Sequence, residues 1–391
     1  MRVVLKPGRE WAVRRGHPWI YSGAIQRVEG EDVPGTIAEV TTADGHLLGR
    51  GMWNPRTSIA VRVVSRGPEP IDEAFVRRRL ERALRLRALV RGTNAMRLVN
   101  GEGDGLPGVV VDRYADQLVC QFLTAGADGL RPAVVAALLG LVTPRGIYER
   151  SEGSVRTAEG LERRSGLLAG EEPPAEIEIE ESGRRHLVDV RGGQKTGFFL
   201  DQRPNRDLTA AIAEGRRVLN LFAYSGGFAI AAARGGAREV VSVESSAAAL
   251  AQAEEAWRRN DLPRDAATFT RADVFAYLRG DIPPVDLVVV DPPPFARRRA
   301  DRERALAGYK EINLQSLRVC APEALLMTFS CSQHVTSEEF TQNVIAAAAD
   351  AGKSCQLLAR LGPGLDHPQA LAHSEGRYLK GLLVRVGEAR A

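Results

Sequence analysis

Over the first 65 residues, short runs of apolar residues alternate with turn signals, which predicts strands at Arg2 to Leu5, Gly35 to Thr41, Leu47 to Met52 behind an Asp44-Gly45 turn, and Ser58 to Val64. Such a series is the pattern of a small β-barrel or sandwich. Arg66-Gly-Pro-Glu-Pro70 interrupts any regular element and marks a boundary. Beyond it the period changes: Phe75, Val76, Leu80, Leu84 and Leu86 fall on one side of a helix expected over Asp72 to Val90. Gly108 to Val111 and Gln117 to Thr124 read as a hairpin, and Arg131 to Leu141 as a second helix. The Glu- and Gly-rich stretch from Ser151 to Glu172 reads as a mobile loop. A further boundary is placed near residue 180, giving domains over 1–70, 71–180 and 181–391.

From Arg216 the chain alternates buried strands with helices. Strands are expected at Arg217 to Phe222, Glu239 to Glu244, Thr268 to Ala272, Asp286 to Val290, Ala324 to Ser330, Cys355 to Leu361 and Leu379 to Val386. Helices fit Gly227 to Arg234, Ser246 to Asn260, Val274 to Arg279, Tyr309 to Val319 and Ser337 to Ala351. Continuous apolar runs such as Leu287 to Val290 suit parallel strands covered on both faces. This predicts an open, mostly parallel, doubly wound α/β sheet of seven strands, a fold that binds ligands at the carboxyl ends of its strands.

Three strand ends carry candidate cofactor chemistry. The first runs into Asn220-Leu-Phe-Ala-Tyr-Ser-Gly-Gly227, where glycines allow close backbone approach and the following helix offers free N–H groups. Its spacing is not GxGxxG, which argues against a nicotinamide dehydrogenase. Glu244 ends the second strand and can accept from ribose hydroxyls; Asp273 follows the third and can accept from an adenine amine. Each acid can equally cap a helix. The fourth strand ends at Asp291-Pro-Pro-Pro-Phe295, whose prolines hold the backbone extended. The fifth ends at Thr328-Phe-Ser-Cys331-Ser332, and Cys331 is set apart from Cys120, Cys320 and Cys355 by lying at that carboxyl end.

Charge adds one asymmetry to a composition, 44% hydrophobic and 26% charged, that is otherwise globular. The net charge is +4, yet residues 71–100 alone hold Arg77, Arg78, Arg79, Arg82, Arg85, Arg87, Arg91 and Arg97 against Asp72, Glu73 and Glu81. Arginine forks suit phosphate contacts. The four cysteines lack CxxC spacing, and no His/Cys/Asp pattern suggests a metal. The polar start and the lack of an apolar run of about 18 residues predict a cytosolic protein with no membrane span.

Asp189-Val-Arg-Gly-Gly-Gln-Lys-Thr-Gly-Phe-Phe-Leu-Asp-Gln-Arg-Pro-Asn-Arg206, together with the Asn220 to Phe228 turn, Asp291-Pro-Pro, Thr328 to Ser332 and Tyr378-Leu-Lys380, closely resembles the class I S-adenosylmethionine-dependent methyltransferases of large-subunit (23S) ribosomal RNA. The nearest branch is the cytosine-C5 enzymes with an N-terminal PUA domain. The resemblance spans essentially the whole chain and implies a PUA-like barrel, a central α+β domain and a Rossmann-like methyltransferase domain. It implies S-adenosylmethionine as cofactor, held at Asn220, Phe222, Tyr224, Ser225, Gly226, Glu244, Asp273 and Asp291. The implied partner is 23S ribosomal RNA or the large ribosomal subunit, and a homodimer is compatible with it. Cys331 is then the nucleophile and Asp291 the group on the N3/N4 edge of the base. Lys195 either lowers the thiol's pKa or stabilises its own loop. Arg78, Arg82 and Arg85 are candidate RNA contacts; Arg203 and Arg206 either clamp phosphates or pair with Asp201 and Asp207. Pro294 departs from the family, which usually has Lys or Thr there. An amine methyltransferase acting on guanine, and a noncatalytic ribosome-assembly factor, remain as alternatives.

Overall fold

Alternate residues of the N-terminal strands turn inward, and the computed structural model, which describes residues 1–296 and 298–388, pairs those strands into a six-stranded sheet. Its order is Trp19–Tyr21, Ile59–Ser65, Leu47–Trp53, Ile37–Thr41, Arg2–Leu5 and Ile25–Glu29. All pairings are antiparallel except that of Arg2–Leu5 with Ile37–Thr41. Val3, Leu5, Ile20, Val40, Trp53 and Val61 fill its interior. A side chain at Gly51 would run into Val61 and the carbonyl of Arg62, so only glycine lets those strands close.

The same structural unit holds a five-stranded sheet in the order Arg164–Gly170, Gly146–Ser151, Gln117–Phe122, Val109–Tyr114, Ala95–Asn100. Helices Glu73–Arg87 and Ala125–Val142 pack on it through Phe75, Val76, Leu80, Val134 and Leu138. Asp72 caps the first, accepting from the Phe75 N–H at 2.8 Å. The second begins six residues before the expected Arg131, because Thr124 caps it and Pro132 is carried inside. This helix is long and apolar enough by length and composition to cross a membrane, but it carries Asp128 and Arg131 and buries Ala127, Val134, Ala137 and Leu138 in the core of the sheet. The stretch expected as a mobile loop is a short helix, Ser154–Ala158, and the edge strand Arg164–Gly170, whose antiparallel pairing with Gly146–Ser151 satisfies its backbone.

Two segments expected in the third domain pack instead with this first unit: 188–200 and 365–376. Thr196 joins the buried Tyr114 hydroxyl at 2.8 Å and donates to Asp112 at 2.6 Å, while Phe198 and Leu200 enter an apolar cluster with Ile177, Ile179 and Val188. Asp366 accepts from the Arg97 N–H at 3.1 Å, and its carbonyl takes the Arg87 guanidinium at 3.0 Å.

The second unit, residues 180–187, 201–364 and 377–391, is built on seven strands: β1 (Arg217–Leu221), β2 (Glu239–Glu244), β3 (Ala267–Arg271), β4 (Val285–Val290), β5 (Cys320–Ser330), β6 (Lys353–Leu361) and β7 (Lys380–Glu388). Their order is β3-β2-β1-β4-β5-β7-β6, with β7 antiparallel to both neighbours and the others parallel. The order reverses at β1 and β4, where a doubly wound sheet opens its ligand crevice. This is the expected Rossmann-like sheet, and its completely buried Leu219, Leu221, Val288, Val290 and Leu326 account for the continuous apolar runs.

Candidate active site

Strand register sets the candidate residues in rows along the carboxyl edge. Leu221 pairs with Val243 and with Val290, and Val290 with Thr328, so Phe222, Glu244, Asp291 and Phe329 stand at one level. Cys331 lies two residues farther out. The sequence-derived constellation Gly226, Glu244, Asp291, Cys331 is thus gathered on one edge by β1, β2, β4 and β5.

The turn after β1 is tightly wound. Phe222, Tyr224 and Gly226 all have left-handed backbones, with φ of 57°, 47° and 80°. For the first two that conformation costs on the order of 1 to 3 kcal/mol each, which marks the turn as a site held for more than its own stability. At Gly226 a Cβ would meet that of Ala253 at 2.9 Å, so glycine is required both for its φ and for packing on helix Ala247–Arg259. Helix Gly227–Arg234 starts directly behind it. The Glu244 carboxylate is fixed from two sides, accepting from the Tyr224 N–H at 2.9 Å and the Ser246 N–H at 2.8 Å. Asp273 caps helix Val274–Tyr277, with Oδ1 accepting from the Ala276 N–H at 2.9 Å, and it remains exposed. Beside the turn, the buried amide Nδ2 of Asn220 and hydroxyl of Ser225 have no hydrogen-bond partner among the described residues. Such atoms are costly unless a ligand completes them. Oriented carboxylate, strained glycine turn and two unsatisfied polar groups together fit a nucleoside cofactor.

At the other end of the edge, Cys331 is held between anchored serines. The Ser332 hydroxyl accepts from the Ala296 N–H at 3.1 Å and meets the Tyr309 hydroxyl at 2.8 Å. Ser330 Oγ accepts from the Ser332 N–H at 3.3 Å. The Cys331 thiol points to the Pro292 carbonyl at 3.8 Å, joining the Asp291-Pro-Pro tip of β4 to the tip of β5. Cys331 is partly exposed. Burial pushes the Cys120 and Cys320 thiols up, the latter to about 12, and raises Cys355 as well, which separates them from any nucleophilic role.

Lys380, quoted in the sequence only as part of a motif, proves central here. It sits opposite Ser330 across the β5–β7 pairing, is buried, and donates from Nζ to the carbonyls of Ser332 and Val335 at 2.7 Å each. Burial pulls its ammonium down to about 8, while Cys331 pulls the other way. Only the pairing of β5 with β7, across 50 positions of sequence, could have revealed that neighbour.

Lys195 belongs to the first unit, exposed and with φ of 52°, its ammonium 4.3 Å above the Phe199 ring. That contact lies within its own loop. Arg206 and Arg203 require a correction as phosphate clamps. Both are buried in the second unit: Arg206 grips Glu181 through two bonds of 2.7 and 2.6 Å, and Arg203 lies 3.8 Å from the same carboxylate. Glu181 is thus a carboxylate partner of both, and Asp201 and Asp207 add their charge around Arg206. Asp201 is taken by the Tyr378 hydroxyl at 2.6 Å, and Asp207 by Arg184.

Of the arginines on helix Glu73–Arg87, Arg87 is buried in a fork with Asp104 at 2.6 Å, and Arg79 lies over Phe75. Arg97, beyond the helix, pairs with Asp112 at 2.8 Å. Arg78 is exposed and touches Glu69 at 3.2 Å. Arg82 and Arg85 face solvent without an acidic partner among the described residues.

Comparison with known proteins agrees with this geometry. Residues 3–66 match a PUA-like domain, and residues 162–326 match an S-adenosylmethionine-dependent methyltransferase domain. The chain is 42% identical to the ribosomal RNA large subunit methyltransferase I of Cronobacter sakazakii, covering 99% of both proteins. It is 44% identical to that of Tolumonas auensis, over 98% of this chain and 99% of the relative. A SAM-dependent methyltransferase structure from Streptococcus mutans shares the fold, with a TM-score of 0.85 at 22% identity over 98% of this chain and 100% of that one. If Glu244 holds the cofactor, loss of its carboxylate is expected to cut S-adenosylmethionine affinity roughly ten- to 150-fold, the range for one charge-assisted hydrogen bond. Calorimetry on folded Glu244→Ala with unchanged affinity would remove Glu244 from the cofactor site.

Proposed function

We propose, from the premise that this chain belongs to the ribosomal RNA large subunit methyltransferase I family and is an S-adenosylmethionine-dependent methyltransferase, that it forms 5-methylcytosine in 23S ribosomal RNA through a covalent adduct on Cys331. The observation that carries this reading is the partly exposed Cys331 thiol beside the Asp291-Pro-Pro tip. A methyltransferase acting on a base amine has use for Asp291 and none for a nucleophilic thiol. C5 of cytosine is a weak nucleophile. Addition of the Cys331 thiolate to C6 makes C5 electron-rich, splitting one hard step into two. Asp291, in its acid form, hydrogen-bonds the N3/N4 edge and supports the adduct. Bound S-adenosylmethionine would supply the electrophilic methyl; loss of the C5 proton to a base then restores the double bond and expels the Cys331 thiolate from C6. Asn220, Ser225, Gly226 and Glu244 are the residues we assign to hold it, with Phe222 and Tyr224 shaping the turn and Asp273 facing the adenine. Ribosomal RNA being a cytoplasmic substrate, the protein acts there. The decisive experiment is mass-spectrometric mapping of ribosomal RNA from a deletion strain. A missing 5-methylcytosine supports the reading, and a missing methylguanine overturns it.

The cation that favours the thiolate is Lys380, through the two carbonyls by which it fixes the Cys331 turn and through its charge; Lys195 we assign to its own loop. Lys380→Met should shift the alkylation of Cys331 by iodoacetamide to higher pH, with Lys380→Arg restoring part of the shift. An unchanged pH profile would leave Lys380 a purely structural residue.

RNA enters this account through the first unit. Arg82 and Arg85, with Arg78 beside them, can neutralise phosphates, and each contact of that kind releases counterions. Replacing the three by Glu should weaken RNA binding and flatten its salt dependence by about 0.9 per lost contact on a duplex. If affinity and slope both stay the same, the helix face is merely solvated.

A further inference from the structure

We propose that the indole of Trp11 is a stacking platform for one unpaired RNA base, with the arginines near it engaging the flanking phosphates; this rests on the RNA-methylating reading and extends it. Trp11 opens the short helix Trp11–Arg14 beside the six-stranded sheet and is 59% exposed, whereas Trp53 and Trp257 are buried and Trp19 is half-buried. A lone apolar side chain in water is ordinary. The setting of this one is not. The Arg15 guanidinium carbon stands 4.1 Å from the ring centroid, covering one face of the indole by a cation–π contact. Arg9, Arg14 and Arg15 are all exposed and have no acidic partner among the described residues. Gly16, with φ of +104°, lies against the Arg66 guanidinium, which brings a fourth cation to the same turn. Glu10 is the one acid from residue 6 to residue 16.

A flat π surface with a guanidinium on one face, in a segment rich in arginines without acidic partners among the described residues, is complementary to a polyanion that carries flat, aromatic units. Every nucleobase has a π face, so stacking on the open side of Trp11 tolerates any sequence, while the arginines track the backbone. A duplex hides its base faces, and the platform therefore selects a single strand, a loop or a splayed base. A protein partner would call for a wider apolar surface than one ring among cations.

The test uses the full chain and two labelled ribosomal RNA oligonucleotides of one length, one single-stranded and one a closed duplex, with binding read by fluorescence anisotropy at fixed salt. Trp11→Ala should weaken single-strand binding about five- to 150-fold, Trp11→Phe should recover most of it, and duplex binding should not change. Equal single-strand affinity for the wild type and Trp11→Ala would overturn the platform, as would an equal loss on strand and duplex. Unchanged binding of free RNA with weakened binding of assembled subunits would move the ring to a protein contact and overturn it too. A wild-type protein that binds neither oligonucleotide would instead count against the RNA reading itself.

Discussion

Cys331→Ser should bind S-adenosylmethionine and RNA like the wild type while losing turnover by on the order of 10⁴- to 10⁶-fold, the scale on which covalent enzymes suffer when their nucleophile is removed. Binding survives because the cofactor turn lies on β1 and β2, with β4 between them and the tip of β5 that carries Cys331. The turn itself survives because its anchors are other groups: Ser332 on Ala296 and Tyr309, and Lys380 on the Ser332 and Val335 carbonyls. Serine changes one atom of a partly exposed side chain, so folding has little at stake. What disappears is an atom able to carry negative charge near neutral pH and add to C6. Radiolabelled methyl transfer in single-turnover conditions, with calorimetry for the cofactor, separates these effects. Methylation by Cys331→Ser within a few-fold of wild type would assign the chemistry to another mechanism.

Arg206→Met should be the most destabilising single substitution in the second unit outside its apolar core. Glu181 and Arg206 are both buried, and removing one partner leaves the other charge stranded, at a cost of about 3 to 5 kcal/mol. Stabilities of about 5 to 15 kcal/mol are usual, so the loss is a large fraction. The double variant Glu181→Leu with Arg206→Met should regain most of it, because an apolar pair of similar volume carries no stranded charge. Acid supplies an independent sign. Although burial works to raise it, the contact with Arg206 holds the Glu181 carboxyl down to about 2, below its ordinary value. The stability it contributes is fully present above the ordinary carboxylate range and is lost as pH falls toward 2. The gap between wild type and Arg206→Met should therefore narrow below about pH 4.5. His186 adds a second acid loss in the wild type: buried and held to about 3, it stays neutral in the fold while the unfolded chain takes up a proton below about pH 6.5, and because Arg206 contributes to that depression the loss should be smaller in Arg206→Met. Denaturant midpoints that match at pH 7 would contradict the buried-pair account.

The second unit was the easiest part to read from sequence, and the physical reason is local. A strand covered on both faces must be apolar, so Leu287 to Val290 announces itself, and the acids behind such strands are found by counting to the strand ends. The hairpin of Ile177–Glu181 and Arg184–Val188 also has a local signal: Ile-Glu-Ile-Glu alternation leads into Ser182-Gly183, both with positive φ as a two-residue hairpin turn requires. The domain boundary expected near residue 180 falls inside this hairpin, whose outward Glu178 and Glu180 keep its solvent face polar. Other features had no local signal. Glu181 meets Arg206 across 25 positions, and Lys380 meets Ser332 across 48, so which charge is buried depends on tertiary pairing alone. For the same reason the long motif ending at Arg206 resembled an RNA contact, when in the structure Asp201, Asn205 and Arg206 fasten the start of helix Arg203–Ile212 to Tyr378, the Gly362 carbonyl and Glu181. Segments 188–200 and 365–376 left their expected domain because apolar and polar partners awaiting them, Tyr114, Asp112 and Arg97, lie far back in the chain.

The most direct test of the central claim is trapping. Ribosomal RNA containing 5-fluorocytosine is incubated with the full-length protein and S-adenosylmethionine, then digested and mapped by mass spectrometry. Fluorine at C5 cannot leave as a proton does, so an enzyme that adds a thiolate to C6 stays bonded to the base. The account predicts one cross-linked peptide, containing Cys331, and none from Cys331→Ser. A cross-link at Cys120, Cys320 or Cys355, or no cross-link from a preparation that methylates unmodified RNA, would contradict it.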